Sequence, residues 1–178
     1  MLAYVVLLIA LLSRLLPPVL HLTPMNFTAV GGTLLFFGAR RPRWQSVVAV
    51  AALMVTDYML TVYAYHYAFH VRGYLVTWAW YAGVCLLGSG LLRRATFLRV
   101  AAGVAGSATS FFLLSNFVVW MGKMYPHSVA GLGACYVAAL PFYRNDLIST
   151  GLIAGVLFGI PVLVARMVQT PNAHGQAA

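Results

Sequence analysis

The stretch Trp44–His70, WQSVVAVAALMVTDYMLTVYAYHYAFH, reads as a membrane-spanning helix that carries a carboxylate, and this reading decides the fold. The helix leaves a basic loop at Arg40, Arg41 and Arg43 and ends in an aromatic and histidine cluster from Tyr63 to His70. At about 1.5 Å per residue, Asp57 lies roughly 20 Å in from Trp44, in the far half of a hydrocarbon core about 30 Å thick. It reads as the only acid of any spanning segment. A carboxylate at that depth is costly unless it is neutral, paired or hydrated, so it marks a functional site. The plainer alternative is a structural ion pair, or a protonated acid that bonds a neighbouring helix.

The rest of the composition supports a helical membrane protein. Of 178 residues, 62% are hydrophobic and 7% charged, and the mean hydropathy of +0.89 lies far above soluble usage. Eleven Lys and Arg against two acids give a formal charge of +9. Because the arginines cluster in short loops between apolar runs, the charge reads as topology information and affinity for anionic lipid rather than nucleic-acid binding. Cys85 and Cys135 lie in apolar stretches without Cys-x-x-Cys spacing, which points away from a thiol redox site.

The fold expected is all-α: a polytopic membrane helix bundle of about six transmembrane helices plus one short interfacial or re-entrant segment. Residues 1–168 form one transmembrane domain and 169–178 a disordered cytoplasmic tail. Leu2–Leu20 lacks a basic leader and a small-residue cleavage site and carries Arg14, so it reads as a retained span. The second helix runs to Ala39, with Asn26 or Thr28 as its cap, and is short for a full span. Gln45–Tyr63, Tyr74–Leu92 and Leu98–Trp120 follow. Val129–Leu140 is short for a comfortable span, reads as the interfacial or re-entrant segment and ends at Pro141; the PFYRND loop then leads to a last span, Leu147–Val168. Gly151, Gly155 and Gly159, spaced four apart on that span, form a helix-packing seam, within the bundle or to a partner helix. The arginines at 40–43 and 93–99, against only Arg72 and Lys123 in the opposite loops, put the amino terminus in the cytoplasm.

In this topology Arg14, Asp57 and Asn116, on three helices, reach the same outer half of the bundle, and Arg14 is the natural partner of Asp57. Above them the outer loops supply Asn26, His66, Tyr125 and His127. A polar floor under aromatic and histidine loops suits an externally open small-molecule site, formed by Arg14, Asn26, Asp57, His66, Asn116, Tyr125 and His127. Asn116 alone reads equally as an interhelical hydrogen bond. The tyrosines and tryptophans near the helix exits, Trp78, Trp80 and Tyr81 among them, read as interface anchors. His66 and His70 have i, i+4 spacing only where the helix is ending, so no metal site and no cofactor is expected. Ser89, in Gly88-Ser89-Gly90, lies at the opposite end from the histidines, and no enzymatic activity is expected.

Arg14 with LPPVLHLTPMNFTAVGGTLLFFGA, Asp57, FFLLSNFVVW and MYPHSVAGLGACYVAALPFYRNDL together resemble an uncharacterised family of bacterial inner-membrane proteins that carries a transport-protein label. The chain is more loosely similar to the substrate-binding S components of energy-coupling-factor importers, although its first helix lacks the small residues, spaced four apart, through which those proteins dock. The resemblance implies a small-solute transport protein of the bacterial inner membrane, either an S-component-like capturing subunit or a small carrier. The alternative is a non-transporting interaction or assembly subunit whose buried polar residues are structural. Partners expected are the lipid bilayer, an unidentified small-molecule substrate and membrane or ATPase subunits, since the chain has no nucleotide-binding motif; nucleic acid is not among them.

Overall fold

The computed structural model describes the backbone of residues 1–19 and 28–169 and the side chains of 1–15 and 28–164. Asn26 and the tail beyond Gln169 lie outside the described residues. Six α-helices and no strand occur among those described: α1 Leu2–Val19, α2 Val30–Arg40, α3 Ser46–Met59, α4 Val71–Leu91, α5 Phe97–Met121 and α6 Val129–Gln169. A 3₁₀ turn, Arg43–Gln45, leads into α3, and a π-helical turn, Leu60–Ala64, ends it. Four segments are long and apolar enough to cross a membrane: Arg43–Ala64, Val71–Leu91, Phe97–Met121 and Val129–Val164.

α6 corrects the expected division of the chain. Val129–Leu140 is not a separate interfacial segment, PFYRND is not a loop, and Leu147 does not start a new span, because all three belong to one helix of 41 residues. Pro141 and Pro161 lie inside it. A proline removes one intrahelical hydrogen bond and crowds the carbonyl four residues back, but packing against a neighbouring helix offsets that loss. Here α5 braces the helix on both sides of Pro141. Tyr136 donates to the Leu113 carbonyl at 2.8 Å, and the Tyr143 and Thr109 hydroxyls meet at 3.0 Å. The seven expected segments are therefore six helices.

The short second helix is the axis of the bundle. All residues from Val30 to Gly38 are buried, with Leu35 and Phe37 fully so, as befits a helix apolar around its whole circumference. α2 touches each of the other five helices. Its closest approach is to α4, where the packing is reciprocal. A Cβ on Gly38 would lie 1.9 Å from the Cys85 carbonyl oxygen, and one on Gly88 would lie 2.2 Å from that of Leu35. Only hydrogen fits at either position, so the two backbones meet directly, as small residues permit between apolar helices.

Side chains at the arginine-rich end fix the helix directions. Tyr4 donates to Gln45 Oε1 at 2.9 Å, Arg41 Nε donates to the same oxygen at 2.6 Å, and Arg43 Nε donates to Ser89 Oγ at 3.2 Å. Phe36 and Phe158 meet edge to face at 5.4 Å, and Pro161 shares a cavity with Met1 and Arg40. Met1 and the last turns of α6 thus lie at the same end as the arginines, and the six helices alternate in direction. Val30, the first residue of α2, starts inside the bundle beside Arg14.

Candidate functional site

Asp57 is 2% exposed, and both its carboxylate oxygens are engaged. Arg14 Nη2 donates to Oδ1 at 2.6 Å, the Tyr81 hydroxyl donates to the same oxygen at 3.3 Å, and Trp78 Nε1 donates to Oδ2 at 2.9 Å. The second guanidinium nitrogen of Arg14 reaches Thr56 Oγ1 at 3.3 Å, and the guanidinium lies 6.0 Å from the centre of the Tyr81 ring. A buried ion pair is tolerated when such bonds satisfy its remaining atoms. Two helices supply the donors, α1 giving Arg14 and α4 giving Trp78 and Tyr81, while α3 holds the acid. The π turn follows directly, and its Thr61 hydroxyl donates to the Asp57 carbonyl at 2.7 Å and also hydrogen-bonds the Tyr74 hydroxyl.

This arrangement corrects the belt assignment of three aromatics. Trp78 and Tyr81 turn inward onto Asp57, and Trp80 is buried, its indole N–H donating to Ser110 Oγ at 3.0 Å. Composition alone cannot separate a tryptophan at an interface from one in a bundle core, because each has an apolar body and one N–H to satisfy.

A second acid is buried in the same region. Asp146, expected in a loop, projects from the middle of α6, is 8% exposed, and its Oδ2 has no hydrogen-bond partner among the described residues. It lines two cavities. One, of about 110 Å³, is shared with Arg14, Thr28, Gly31, Trp80 and Tyr81. The other, of about 220 Å³, is shared with Phe112, Ser115, Asn116 and Tyr143. Asp57 is therefore not the only acid within a long apolar helix, and Asp146 links the Arg14 cavity to the Asn116 cavity.

The remaining candidates divide. Asn116 lines the larger cavity, and its amide donates back to the Phe112 carbonyl at 2.7 Å, which leaves its side-chain oxygen for another donor. His66, Tyr125 and His127 line neither cavity. His66 is exposed just after the π turn, with a φ of 57°. The ring of His127 lies 2.9 Å from the Gly122 carbonyl oxygen and packs against Trp120, so it braces the α5–α6 turn. Of the glycine seam, Gly151 meets Val104, whereas Gly155 and Gly159 have open space where a Cβ would be. No group of three or more His, Cys, Asp or Glu able to hold a metal occurs among the described residues.

The chain belongs to the family of unknown function DUF6580, whose sequence model matches residues 1–173. No curated protein and no solved structure matches it.

Proposed function

We propose that this chain is an integral protein of a bacterial inner membrane that binds a small solute, either as a substrate-capturing subunit or as a small carrier. Its arginine-rich end would face the cytoplasm. The observation that carries this reading is Asp146, a buried carboxylate with an unpartnered oxygen at the junction of two cavities, one sharing Arg14 and the other Asn116. An uncompensated polar group deep in an apolar bundle is expensive, so such groups mark binding sites and pathways. In this reading Asp57 holds Arg14 in place, while Asp146 and Asn116 contact solute. Arg14 beside one satisfied and one unsatisfied acid suits a solute with a hydrogen-bonding or cationic group for Asp146 and an acceptor for the guanidinium. The chain has no nucleotide-binding motif, so any ATP-driven step belongs to partner subunits.

Thermal-shift screening of the purified protein against vitamins, nucleobases, amino acids and divalent metals tests this. Stabilisation by one class that is lost in Asp146→Asn and weakened in Asn116→Ala supports the site. A ligand response unchanged in the double variant removes it.

A second reading, an interaction or assembly subunit, is favoured by the outer surface of α6. Gly155 and Gly159 line an open groove of about 540 Å³ with Phe97 and Val100, and Arg144 is exposed along the same helix, within one residue of the Thr109–Tyr143 contact. An exposed guanidinium so far along an apolar helix is suited to a partner that supplies an acid. Gly155→Leu and Arg144→Ala should then release a co-purifying membrane protein, and a partner-free chain that still binds solute would exclude this role.

A further inference from the structure

Three buried side-chain oxygens have no hydrogen-bond partner among the described residues: Ser107 Oγ, Asp146 Oδ2 and Thr150 Oγ1. Serine and threonine inside helices ordinarily satisfy their hydroxyls by donating to a carbonyl three or four residues back. Ser13, Thr56, Thr61, Ser89, Ser110, Ser115 and Ser149 all do so in this chain, at 2.6–3.1 Å. Ser107 and Thr150 do not. Both instead face one glycine: the position of a Cβ on Gly31 lies 2.4 Å from Thr150 Oγ1 and 3.3 Å from Ser107 Oγ. Asp146 precedes Thr150 by one helical turn, on the same face of α6, and lines the cavity that includes Gly31. The three unpartnered oxygens thus gather at one place, between α2, α5 and α6.

We infer that Ser107, Asp146 and Thr150 form a binding site for a monovalent alkali cation such as sodium, beneath the solute cavity. The donors are hard oxygens with no nitrogen or sulfur among them, which suits an alkali or alkaline-earth ion over a transition metal. Charge selects the monovalent class. Asp57 is neutralised by Arg14, so Asp146 contributes one uncompensated negative charge, whereas a calcium site usually gathers several carboxylates. Protonation of Asp146 would quench the same charge, but it would leave both hydroxyl oxygens idle. A cation uses all three. The inference shares Asp146 with the solute reading, but its other two oxygens are its own, because Ser107 and Thr150 line neither solute cavity.

The test needs no solute. Purified protein in nanodiscs is melted in NaCl, KCl or choline chloride at constant ionic strength across a range of pH, and binding of radioactive sodium is measured directly. Sodium should raise the melting temperature saturably above choline. Asp146→Asn and Thr150→Val should each weaken apparent sodium affinity at least tenfold, Thr150→Ser should restore it, and Ser89→Ala, at the arginine-rich end, should leave it unchanged. If Asp146→Asn does not fold, the Thr150 pair and wild-type sodium binding decide. Identical melting and no bound sodium in the folded wild type would overturn the inference. So would a sodium response that survives Thr150→Val, or stabilisation by low pH alone that equals the sodium effect. Because solute is absent throughout, a negative solute screen and a negative sodium result remain separate findings.

Discussion

Removing either member of the Arg14–Asp57 pair should cost more than its share of the cost of removing both, and the two single losses should differ in size. Arg14→Leu strands a carboxylate that still accepts from Trp78 at 2.9 Å and Tyr81 at 3.3 Å. Asp57→Leu strands a guanidinium whose remaining bond is to Thr56 at 3.3 Å, and it also leaves the Trp78 and Tyr81 donors without their acceptor. Breaking a buried pair costs about 3–5 kcal/mol. Each stranded neutral donor adds about 1–3 kcal/mol. With Arg14 still 17% exposed, the lower part of these ranges applies, giving about 3 kcal/mol for Arg14→Leu and about 5 kcal/mol for Asp57→Leu. The double variant strands no charge and leaves only the two donors unsatisfied. On these figures it should lose about 2 kcal/mol, about 6 kcal/mol less than the two single changes added together, as expected of directly coupled neighbours. Reversible unfolding of the four proteins in mixed detergent micelles measures this. Repeating the cycle with Asp146→Asn prevents the freed Arg14 from re-pairing across their shared cavity. Additive losses, or a smaller loss for Asp57→Leu than for Arg14→Leu, would refute the reasoning.

Gly38→Ala and Gly88→Ala each force a methyl group into a backbone carbonyl across the α2–α4 contact, so each should cost about 3 kcal/mol or prevent accumulation in the membrane. Gly90→Ala, where a Cβ meets open space, should be neutral or stabilising by about 0.5–1 kcal/mol, and the three melting temperatures check both claims. His66 holds a left-handed backbone without being glycine, so His66→Gly should be about 1 kcal/mol more stable than His66→Ala, with solute response unchanged in both. Trp78→Phe removes one of three donors to Asp57 while keeping an aromatic ring and should cost about 1–2 kcal/mol; a loss as large as that of Asp57→Leu would mean that the indole carries more than a hydrogen bond.

The helical class, the alternating directions and the meeting of Arg14 with Asp57 were legible in the sequence, because hydropathy, loop charge and depth are properties of single helices. Side-chain direction was not. Trp78 and Tyr81 looked like belt residues because their depth is visible in sequence while their facing depends on which helices flank α4. The short second helix looked marginal for a span; its uniform apolarity, the mark of burial on all sides, was the available sign of its central place. Pro141 hides Asp146 in the sequence, because in water a proline at that point would end the helix. A span closed at residue 140 leaves Arg144 and Asp146 in an aqueous loop where they cost nothing. The contrary signal was the continuation of small and apolar residues at helical spacing on both sides, from Ala130 to Ala139 and from Leu147 to Phe158.

Treating PFYRND as helix changes which acid can do work. Asp57 has an arginine and two further donors fixed on it, so a ligand that took its place in this network would have to match bonds that already exist. Breaking them costs more than a small solute usually returns. Asp146 has no such bonds on Oδ2, and the expense of burying it is already met by the folded bundle. Any cation or donor that reaches it therefore gains nearly the full strength of a charge-assisted bond in an apolar setting. The same logic fixes the order of sensitivity to conservative change. Asp57→Asn keeps an acceptor oxygen but sets an amide against Arg14 and should chiefly lower stability. Asp146→Asn removes a charge that nothing in the described fold uses, and should leave stability equal or higher while abolishing binding. If instead Asp146→Asn unfolds the protein and Asp57→Asn only weakens binding, the roles assigned to the two acids are reversed.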